Sequence, residues 1–255
     1  MFSKDYDVPA IERHVDFINL VAYDMHGSWE RQADHHAPLF RRPWDQNNRN
    51  IDYSVNYWIA KGMPAWKINL GIPLYGRSWI LASDDVSDVP APASGAGAPG
   101  PFTKEAGFLA YFEICRMIRA NEDDWTVRSE VKKLNGPIAF SSSTKMWVGY
   151  DDAATVRTKS QYALSKGLGG VMAWDVSMDD FSGACGQGVN PLLTTIAVTF
   201  LRNNATLQAR PSTTHRPASA SNRFITLERT TTTKPLPSLK KHPRNHLYSS
   251  FNVFH

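Results

Sequence analysis

The sequence predicts an α/β fold with parallel strands, because short buried strand patterns alternate with helical patterns along the chain. Three apolar segments carry the strand signal, at residues 15–21, 66–71 and 170–175. The first and third end in an aromatic residue followed by Asp, at the carboxyl end of a strand, where α/β enzymes place their chemistry. With 42% hydrophobic residues, the 255-residue chain can bury a sizeable core.

The first half of the chain yields two of these strands and one helix. Residues 15–21 near-alternate in apolar character and follow the end of a short helix. We expect a helix from Asp52, as its cap, to Lys61, before the helix-breaking Gly62 and Pro64. The strand at 66–71 then runs directly into a further strand at 72–81.

The second half begins with a Gly-, Ala- and Pro-rich loop and continues into a predicted helix at 106–120. Two short strands, at 138–140 and 145–149, follow it. Asp152 caps a helix that extends to about Lys166. After the third apolar strand, we expect an apolar helix at 190–201.

The chain ends in a segment of different composition. Nine of the 28 Lys and Arg residues, but only one of the 24 acidic residues, lie from Arg202 onward, so this segment carries +8 and residues 1–201 carry −4. The overall charge of +4 therefore gives little support for nucleic-acid binding. Runs such as Thr230 to Thr233 predict a disordered tail. Asn204 begins an Asn-Ala-Thr glycosylation sequence.

Several further patterns limit the function classes. Cys115 and Cys185 lack the short spacing of a zinc site and could be a disulfide or two buried thiols. Adjacent His35 and His36 would point in opposite directions on a strand, so we predict no metal site and no cofactor. No apolar run approaches the roughly 18 residues of a membrane span, and the N-terminus has no signal-peptide pattern.

The longest motifs resemble one known family. They read VDFINLVAYDMHGSWE, KINLGIPLYGRSWIL, EAGFLAYFEIC, WVGYDD and GGVMAWDVSMDDFSGACG. In this order they are similar to the C-terminal half of glycoside hydrolase family 18, the chitinases of animal type, over residues 15–201. The resemblance implies an incomplete (β/α)8 TIM barrel, comprising strands six to eight, with a small α+β insertion and a disordered tail.

The resemblance also assigns roles to single residues. Tyr23 and Asp24 correspond to the pair that holds the substrate's N-acetyl group. Trp29 corresponds to an aromatic beside the leaving-group sugars, and Arg77 to a polar contact with the sugar chain. Trp174 corresponds to the indole beneath the sugar at the cleavage point. Without the resemblance, Asp24 could start a turn, Trp174 could be core and Arg77 a surface charge.

Two departures from the family pattern accompany these matches. The family usually has Met-Thr before the Tyr-Asp pair, whereas Val21 and Ala22 stand here, which changes the wall beneath the acetamido group. The family's disulfide between insertion and barrel falls on Cys115 and Cys185. The resemblance therefore implies that these two cysteines are bonded.

The larger departure is the absence of the family's catalytic motif, D-x-x-D-x-D-x-E, whose Glu protonates the glycosidic oxygen. The nearest pattern starts at Asp175, where Met178, Asp180 and Ser182 stand at the other three motif positions. The family attacks with the substrate's own acetamido group, so this Glu is its general acid. We predict no catalytic residue of that type here, with Tyr23 and Asp24 in supporting roles.

These inferences leave two functions open. One is a chitinase that in full-length form hydrolyses β-1,4-linked N-acetylglucosamine polymers by a substrate-assisted retaining mechanism, the present chain being inactive alone. The other is a non-catalytic chitinase-like lectin. Both imply chitin or N-acetylglucosamine oligosaccharides as partners and, by family, a secreted protein.

The predicted domain organisation follows the same correspondence. Residues 1–81 form a partial barrel with strands six and seven, and residues 82–150 form the α+β insertion. Residues 151–201 supply the last helix and strand of the barrel and a closing helix. Residues 202–255 form the tail.

Overall fold

Two β-sheets, one parallel and one antiparallel, organise the part of the chain that the structure describes. The structure, a computed structural model, describes residues 6–45, 47–83, 89–129, 136–208 and 250–254.

Five α-helices and eleven strands are present in these ranges. The helices are α1 (Val8–His14), α2 (Ile51–Ala60), α3 (Tyr111–Ala120), α4 (Ala153–Ser165) and α5 (Pro191–Gln208). The strands are β1 (Phe17–Val21), β2 (Gln32–Ala33), β3 (Ile68–Pro73), β4 (Tyr75–Leu81), β5 (Ala91–Ala96), β6 (Phe108–Ala110), β7 (Trp125–Arg128), β8 (Ile138–Ser141), β9 (Met146–Gly149), β10 (Gly170–Trp174) and β11 (Ser250–Phe254). Short 3₁₀ turns cover Ala65–Lys67 and Val176–Met178.

The parallel sheet has the strand order β10-β3-β1-β11 among the described residues. The three strands predicted from the sequence are adjacent in it, and all pairs are parallel, which confirms that part of the prediction. The second strand begins at Ile68 and not at Trp66, because residues 65–67 form a 3₁₀ turn. The carboxyl ends of these three strands therefore lie at one end of the sheet.

The C-terminal segment differs from the tail that its composition predicts. Helix α5 continues past residue 201 to Gln208, and β11 pairs with β1 from Phe17↔Ser250 to Val21↔Phe254. Although the segment as a whole is polar, residues 250–254 read Ser-Phe-Asn-Val-Phe, which has strand propensity, and the edge of β1 that faces away from β3 accepts them as an added strand. The remainder of the predicted tail, 209–249, lies outside the described residues.

The antiparallel sheet begins earlier in the chain than the predicted insertion. Its order is β2-β5-β4-β9-β8-β7, with β6 also paired to β4, over the residues described. Residues 72–81 are therefore divided, since the chain leaves the parallel sheet at Leu74 and β4 belongs to the second sheet. The predicted boundary at residue 82 is later than this change of sheet. Apolar residues lie on both sides of the turn, with Ile72 before it and Tyr75 after it, so the hydrophobic pattern does not mark its position.

Two helix starts also differ from prediction. Helix α2 is capped by Asn50, whose side chain accepts from the Tyr53 amide at 2.8 Å, whereas Asp52 lies inside the first turn. Helix α3 begins at Tyr111 and not at residue 106, because Phe108–Ala110 pairs with β4. The cap of α4 by Asp152 is confirmed, with its carboxylate accepting from the Thr155 amide at 2.8 Å.

The main core lies between the parallel sheet and its helices. Fully buried side chains from the sheet, such as Leu20 and Leu70, share it with Trp58 of α2 and Val156 of α4. A second cluster beneath the antiparallel sheet contains the edge-to-face pair Trp79 and Trp147. No helix among the described residues is long and apolar enough to cross a membrane.

A disulfide joins the two parts of the molecule. Cys115 on α3 is bonded to Cys185 in the loop before α5, with the two Cα atoms 5.7 Å apart, and the pairing implied by the resemblance is confirmed. Arg119 Nη1 donates to the Cys185 carbonyl at 2.9 Å beside it. The bond therefore ties the helix after β6 to the segment that follows the last parallel strand.

Candidate functional site

The candidate site lies at the carboxyl end of the parallel sheet. Tyr23 and Asp24 follow β1, and Trp174 ends β10, where it is in register with Pro73 of β3. Arg77 reaches the same end from β4 and not from a parallel strand, because the chain turns into the second sheet at Leu74. The Leu74 amide donates to the Trp174 carbonyl at 2.8 Å and holds this turn against β10.

Asp24 is the centre of the site's hydrogen bonds. Its Oδ1 accepts from the Tyr75 hydroxyl and from Arg77 Nε, each at 2.8 Å. His36 Nδ1 lies 3.5 Å from the same oxygen. The backbone of Asp24 is in the left-handed region, with φ of 58°, a conformation that costs a non-glycine residue roughly 1–2 kcal/mol. These side-chain contacts accompany a backbone conformation at Asp24 that a non-glycine residue otherwise avoids.

The environment of Asp24 keeps it ionised. Burial by itself would raise the pKa of this carboxyl, but the hydrogen bond and positive charge of Arg77 outweigh it and hold the pKa well below its usual 3.8. The guanidinium of Arg77 is partly desolvated, yet Asp24 raises its pKa above the ordinary value. The pair is therefore a carboxylate and a cation at any physiological pH.

The tyrosines of the site remain protonated. Burial, together with the charges of Asp24 and Asp175, raises the pKa of Tyr23 well above its usual 10.0. Burial and the neighbouring carboxylate act in the same direction on Tyr75. The two rings pack edge to face with centroids 5.9 Å apart. Tyr23 is consequently a hydroxyl donor held in the wall of the site, only 4% exposed.

Two exposed indoles accompany these buried polar groups. Trp29 is 61% exposed and Trp174 47%, which is unusual for so large an apolar side chain. The guanidinium of Arg77 lies 5.4 Å from the Trp29 ring centroid and 5.1 Å from that of Phe108. Arg77 thus links the carboxylate of Asp24 to the Trp29 platform. Flat exposed aromatics beside buried hydrogen-bonding groups are suited to binding a sugar ring.

Sequence reasoning missed three residues that contact this centre or approach it. Tyr75 precedes Arg77 by two positions in β4, so strand alternation places both on one face, a signal that was available in the sequence. His36 lies in the loop after β2, and Asp175 follows Trp174 directly. His36 and its neighbour His35 do not point apart as expected on a strand, since their rings stack with centroids 5.8 Å apart.

Two other buried carboxylates, Glu113 and Asp180, have structural partners. Glu113 is buried and accepts from the amides of Phe102, Thr103 and Ala110, so it organises the loop before α3. Asp180 accepts from the Cys185 amide at 2.7 Å. Within the described ranges, no group of three His, Cys, Asp or Glu side chains is arranged to hold a metal ion.

Asn204, the predicted glycosylation acceptor, falls within the last turns of α5. Its side chain lies outside the described part of the chain, so glycosylation there stays a prediction.

Comparison with known protein families identifies the family to which this chain belongs. Residues 1–179 match the family described as glycosyl hydrolases family 18. The chain belongs to this family. Its fold is accordingly of the TIM-barrel type, and it is a chitinase or chitinase-like protein of animal type.

Individual members are similar over the same region. Mouse (Mus musculus) chitotriosidase-1 is 43% identical over 200 residues, which are 77% of this chain and 41% of the relative. Among solved structures, the Ostrinia furnacalis group IV chitinase in complex with allosamidin superposes with a TM-score of 0.73 at 37% identity, covering 77% of this chain and 53% of that one.

A relative described as a pseudo-chitinase is similar to the same degree. Human YKL-39, described as a pseudo-chitinase with retained chitooligosaccharide binding properties, superposes with a TM-score of 0.71 at 41% identity, covering 76% of this chain and 53% of that one. The chain thus spans about half the length of each of these three relatives.

Proposed function

We propose that this chain binds chitin oligosaccharides through the site around Asp24, with Tyr23, Asp24, Trp29, Arg77 and Trp174 as its substrate-binding residues. The observation that carries the proposal is the contact of Asp24 Oδ1 with Arg77 Nε at 2.8 Å beside the exposed Trp29 ring. It supports one continuous surface with a fixed anionic acceptor, a cation and an apolar platform.

The polar groups match the acetamido substituent of N-acetylglucosamine. Tyr23 keeps its hydroxyl proton and can donate to the acetamido carbonyl oxygen. Asp24 stays ionised, and its Oδ2 oxygen is available to accept the acetamido N–H group, since the hydrogen bonds from Tyr75 and Arg77 both go to Oδ1. Holding the carbonyl and the N–H group together selects the acetylated sugar over the free amine.

The apolar groups match the faces of the sugar rings. An indole such as Trp174 offers a flat surface to the C–H face of a pyranose. If such a contact buries about 100 Å² of apolar surface, it contributes about 2.5 kcal/mol to binding. Trp29, stacked with Arg77, supplies a second platform for a neighbouring sugar.

Hydrolysis belongs to the full-length form in this proposal. With a general acid present, the acetamido oxygen held by Tyr23 would attack the anomeric carbon, and Asp24 would stabilise the resulting oxazolinium cation. The 255 residues contain no D-x-x-D-x-D-x-E sequence. Asp179 and Asp180, in the nearest pattern, accept backbone hydrogen bonds from Leu193 and Cys185. We therefore propose that this chain alone is inactive, because a general acid contributes about 10² to 10⁴-fold.

A chitinase-like lectin is the second candidate. The similarity to human YKL-39, a pseudo-chitinase that retains chitooligosaccharide binding, supports it. Both candidates use the same five binding residues, and they differ only in whether a full-length protein supplies the acidic Glu. Turnover by the full-length protein therefore separates them.

The architecture and location belong to the same proposal. Strands β1, β3 and β10 would correspond to strands six to eight of an incomplete barrel, and the antiparallel sheet to the α+β insertion. The bonded Cys115 and Cys185 support an oxidising, extracellular location.

Calorimetric titration with chitotetraose tests the binding proposal. The chain should bind, and Trp174→Ala should weaken binding by at least about tenfold, the equivalent of about 1.4 kcal/mol. Trp66→Ala is the matched control, because Trp66 is 64% exposed but lies at the opposite end of β3. Equal losses in the two variants, or no binding by the folded chain, would contradict the proposal. A fluorogenic chitobioside should give no turnover above background.

A further inference from the structure

A buried histidine lies directly against the carboxylate of the proposed site. His36 is fully buried, and its carbonyl accepts from the Met25 amide at 2.9 Å, which fixes it beside the end of β1. Its ring packs against that of Tyr75 with centroids 5.0 Å apart. The imidazole therefore has one position and two neighbours for its ring nitrogens.

The two ring nitrogens have different partners. His36 Nε2 lies 3.2 Å from the carbonyl oxygen of Tyr75, and since a carbonyl only accepts, Nε2 must carry a hydrogen. His36 Nδ1 lies 3.5 Å from Asp24 Oδ1 and has no hydrogen-bond partner among the described residues. In the neutral ring this nitrogen turns a lone pair toward an anionic oxygen. A proton between the two atoms converts that repulsion into a charge-assisted hydrogen bond.

The charged groups around His36 shift its pKa in opposite directions. Asp24 and the buried Asp151 favour a proton on the ring, whereas Arg77 opposes it. His35 stacks on one side and itself approaches Asp151 Oδ1, at 3.7 Å. Burial is the largest influence and lowers the pKa of His36 below its usual 6.5. His36 is therefore neutral at neutral pH and takes up its proton only on acidification.

We propose that His36 is a positioning residue for Asp24, and that one proton taken up between Nδ1 and Oδ1 sets how strongly this carboxylate accepts a hydrogen bond from a ligand. The inference rests on the proposed function, in which Asp24 accepts the acetamido N–H group. When His36 is protonated, it withdraws negative charge from the carboxylate and weakens that acceptor. Affinity for acetylated oligosaccharides then falls as the pH falls through the titration of His36, before Asp24 itself is protonated.

Two substitutions separate the two ring nitrogens. His36→Asn supplies a non-titrating amide near the Nδ1 position, facing Asp24. His36→Gln keeps a donor near the Nε2 position, toward the Tyr75 carbonyl, and leaves nothing to titrate beside Asp24. A purely structural role for His36 would lower affinity by the same factor at every pH. If His36 acts as proposed, either substitution instead removes the pH dependence of the affinity.

The first measurement needs no ligand. In the full chain labelled with ¹⁵N-histidine, with the His36 signals assigned by their loss in His36→Asn, the ring should be the Nε2–H tautomer at neutral pH and should protonate at Nδ1. In a folded Asp24→Asn variant, the affinity of the His36 ring for its proton should fall by about tenfold or more, because an adjacent anion has been removed. An Nδ1–H tautomer, or an unchanged titration in Asp24→Asn, would overturn the proposal.

The second measurement is chitotetraose affinity across the pH range in which His36 takes up its proton. The unmodified chain should lose about threefold or more in affinity, whereas both His36 variants should bind with a flat profile. A pronounced loss of chitotetraose affinity at low pH that persists in both variants would overturn the proposal. If the titrations of His36 and Asp24 are coupled but no oligosaccharide binds at any pH, the shared proton stands and the proposed function fails.

Discussion

Replacing Arg77 by Ala tests how the candidate site is held together. Arg77 Nε donates a charge-assisted hydrogen bond to Asp24 at 2.8 Å, and such a bond contributes about 1.5–3 kcal/mol. Stacking of the guanidinium on Trp29 adds about 0.5–2 kcal/mol. Since the Asp24 side chain is 32% exposed, solvent screening reduces these values, and we expect the free energy of unfolding to fall by about 2–3 kcal/mol in total.

The Arg77→Ala change should also weaken the binding of the ligand. Asp24 would lose its cation and a donor, so its pKa should rise toward the usual 3.8, and Trp29 would lose the group that holds its ring. Urea unfolding gives the first quantity, and chitotetraose titration from pH 4 to pH 7 gives the second. Affinity should be lower at all pH values, with an additional loss at the acid end.

A second arginine provides the control for this experiment. Arg116 on α3 also stacks on aromatic rings, at 5.1 Å from the Phe112 centroid, but it donates to the neutral Ser182 hydroxyl, at 2.9 Å. Arg116→Ala should cost about 1 kcal/mol and leave oligosaccharide affinity unchanged. If Arg77→Ala is no more costly than Arg116→Ala and leaves affinity unchanged, then Asp24 does not depend on its cation, and the account of the site is wrong.

Three further predictions concern the fold. Reduction of the Cys115–Cys185 disulfide, which closes a separation of 70 residues, should lower stability by about 4 kcal/mol; calorimetry with and without reductant checks this, and unchanged melting would contradict it. Burial lowers the pKa of both His35 and His36, so below about pH 6.5 their imidazoles take up protons in the unfolded chain before they do so in the folded chain. The free energy of unfolding should therefore fall by up to about 1.4 kcal/mol for each histidine per unit decrease in pH. Urea unfolding measured against pH should lack this slope in the variant with both histidines replaced by Asn, and an unchanged slope would refute the prediction. Deletion of residues 209–255 removes β11 and should accelerate amide exchange in β1, measured by mass spectrometry; equal exchange in both chains would rule out the pairing.

The sequence allowed prediction of the parallel strands and of the residues at their ends, because both depend on local patterns. Alternation and helical spacing are properties of neighbouring residues, and the Tyr23-Asp24 pair follows an apolar strand directly. The turn at Leu74 was not predictable in this way. Its direction depends on the backbone bond to Trp174, a residue distant in sequence, and on pairing with β9.

The approach of His36 to Asp24 was similarly not predictable from local pattern. Tyr75 and His36 come from different segments, and only the folded chain brings both to one carboxylate oxygen. His36 in particular carried a misleading signal, since two adjacent histidines first raise the question of a metal. The structure instead buries both rings and gives each Nε2 a backbone carbonyl partner.

We propose that Tyr23 and Asp24 recognise the N-acetyl group, and a comparison of two ligands is the sharpest test of this recognition. Chitotetraose and its fully deacetylated counterpart, the glucosamine tetramer, differ only in the acetyl groups and in the amine charges exposed without them. We expect at least about tenfold tighter binding of the acetylated ligand at pH 7 and 0.15 M salt, and loss of most of this preference in Tyr23→Phe combined with Asp24→Asn. Equal binding of the two ligands by the unmodified chain, or a preference that survives the double substitution, would contradict it.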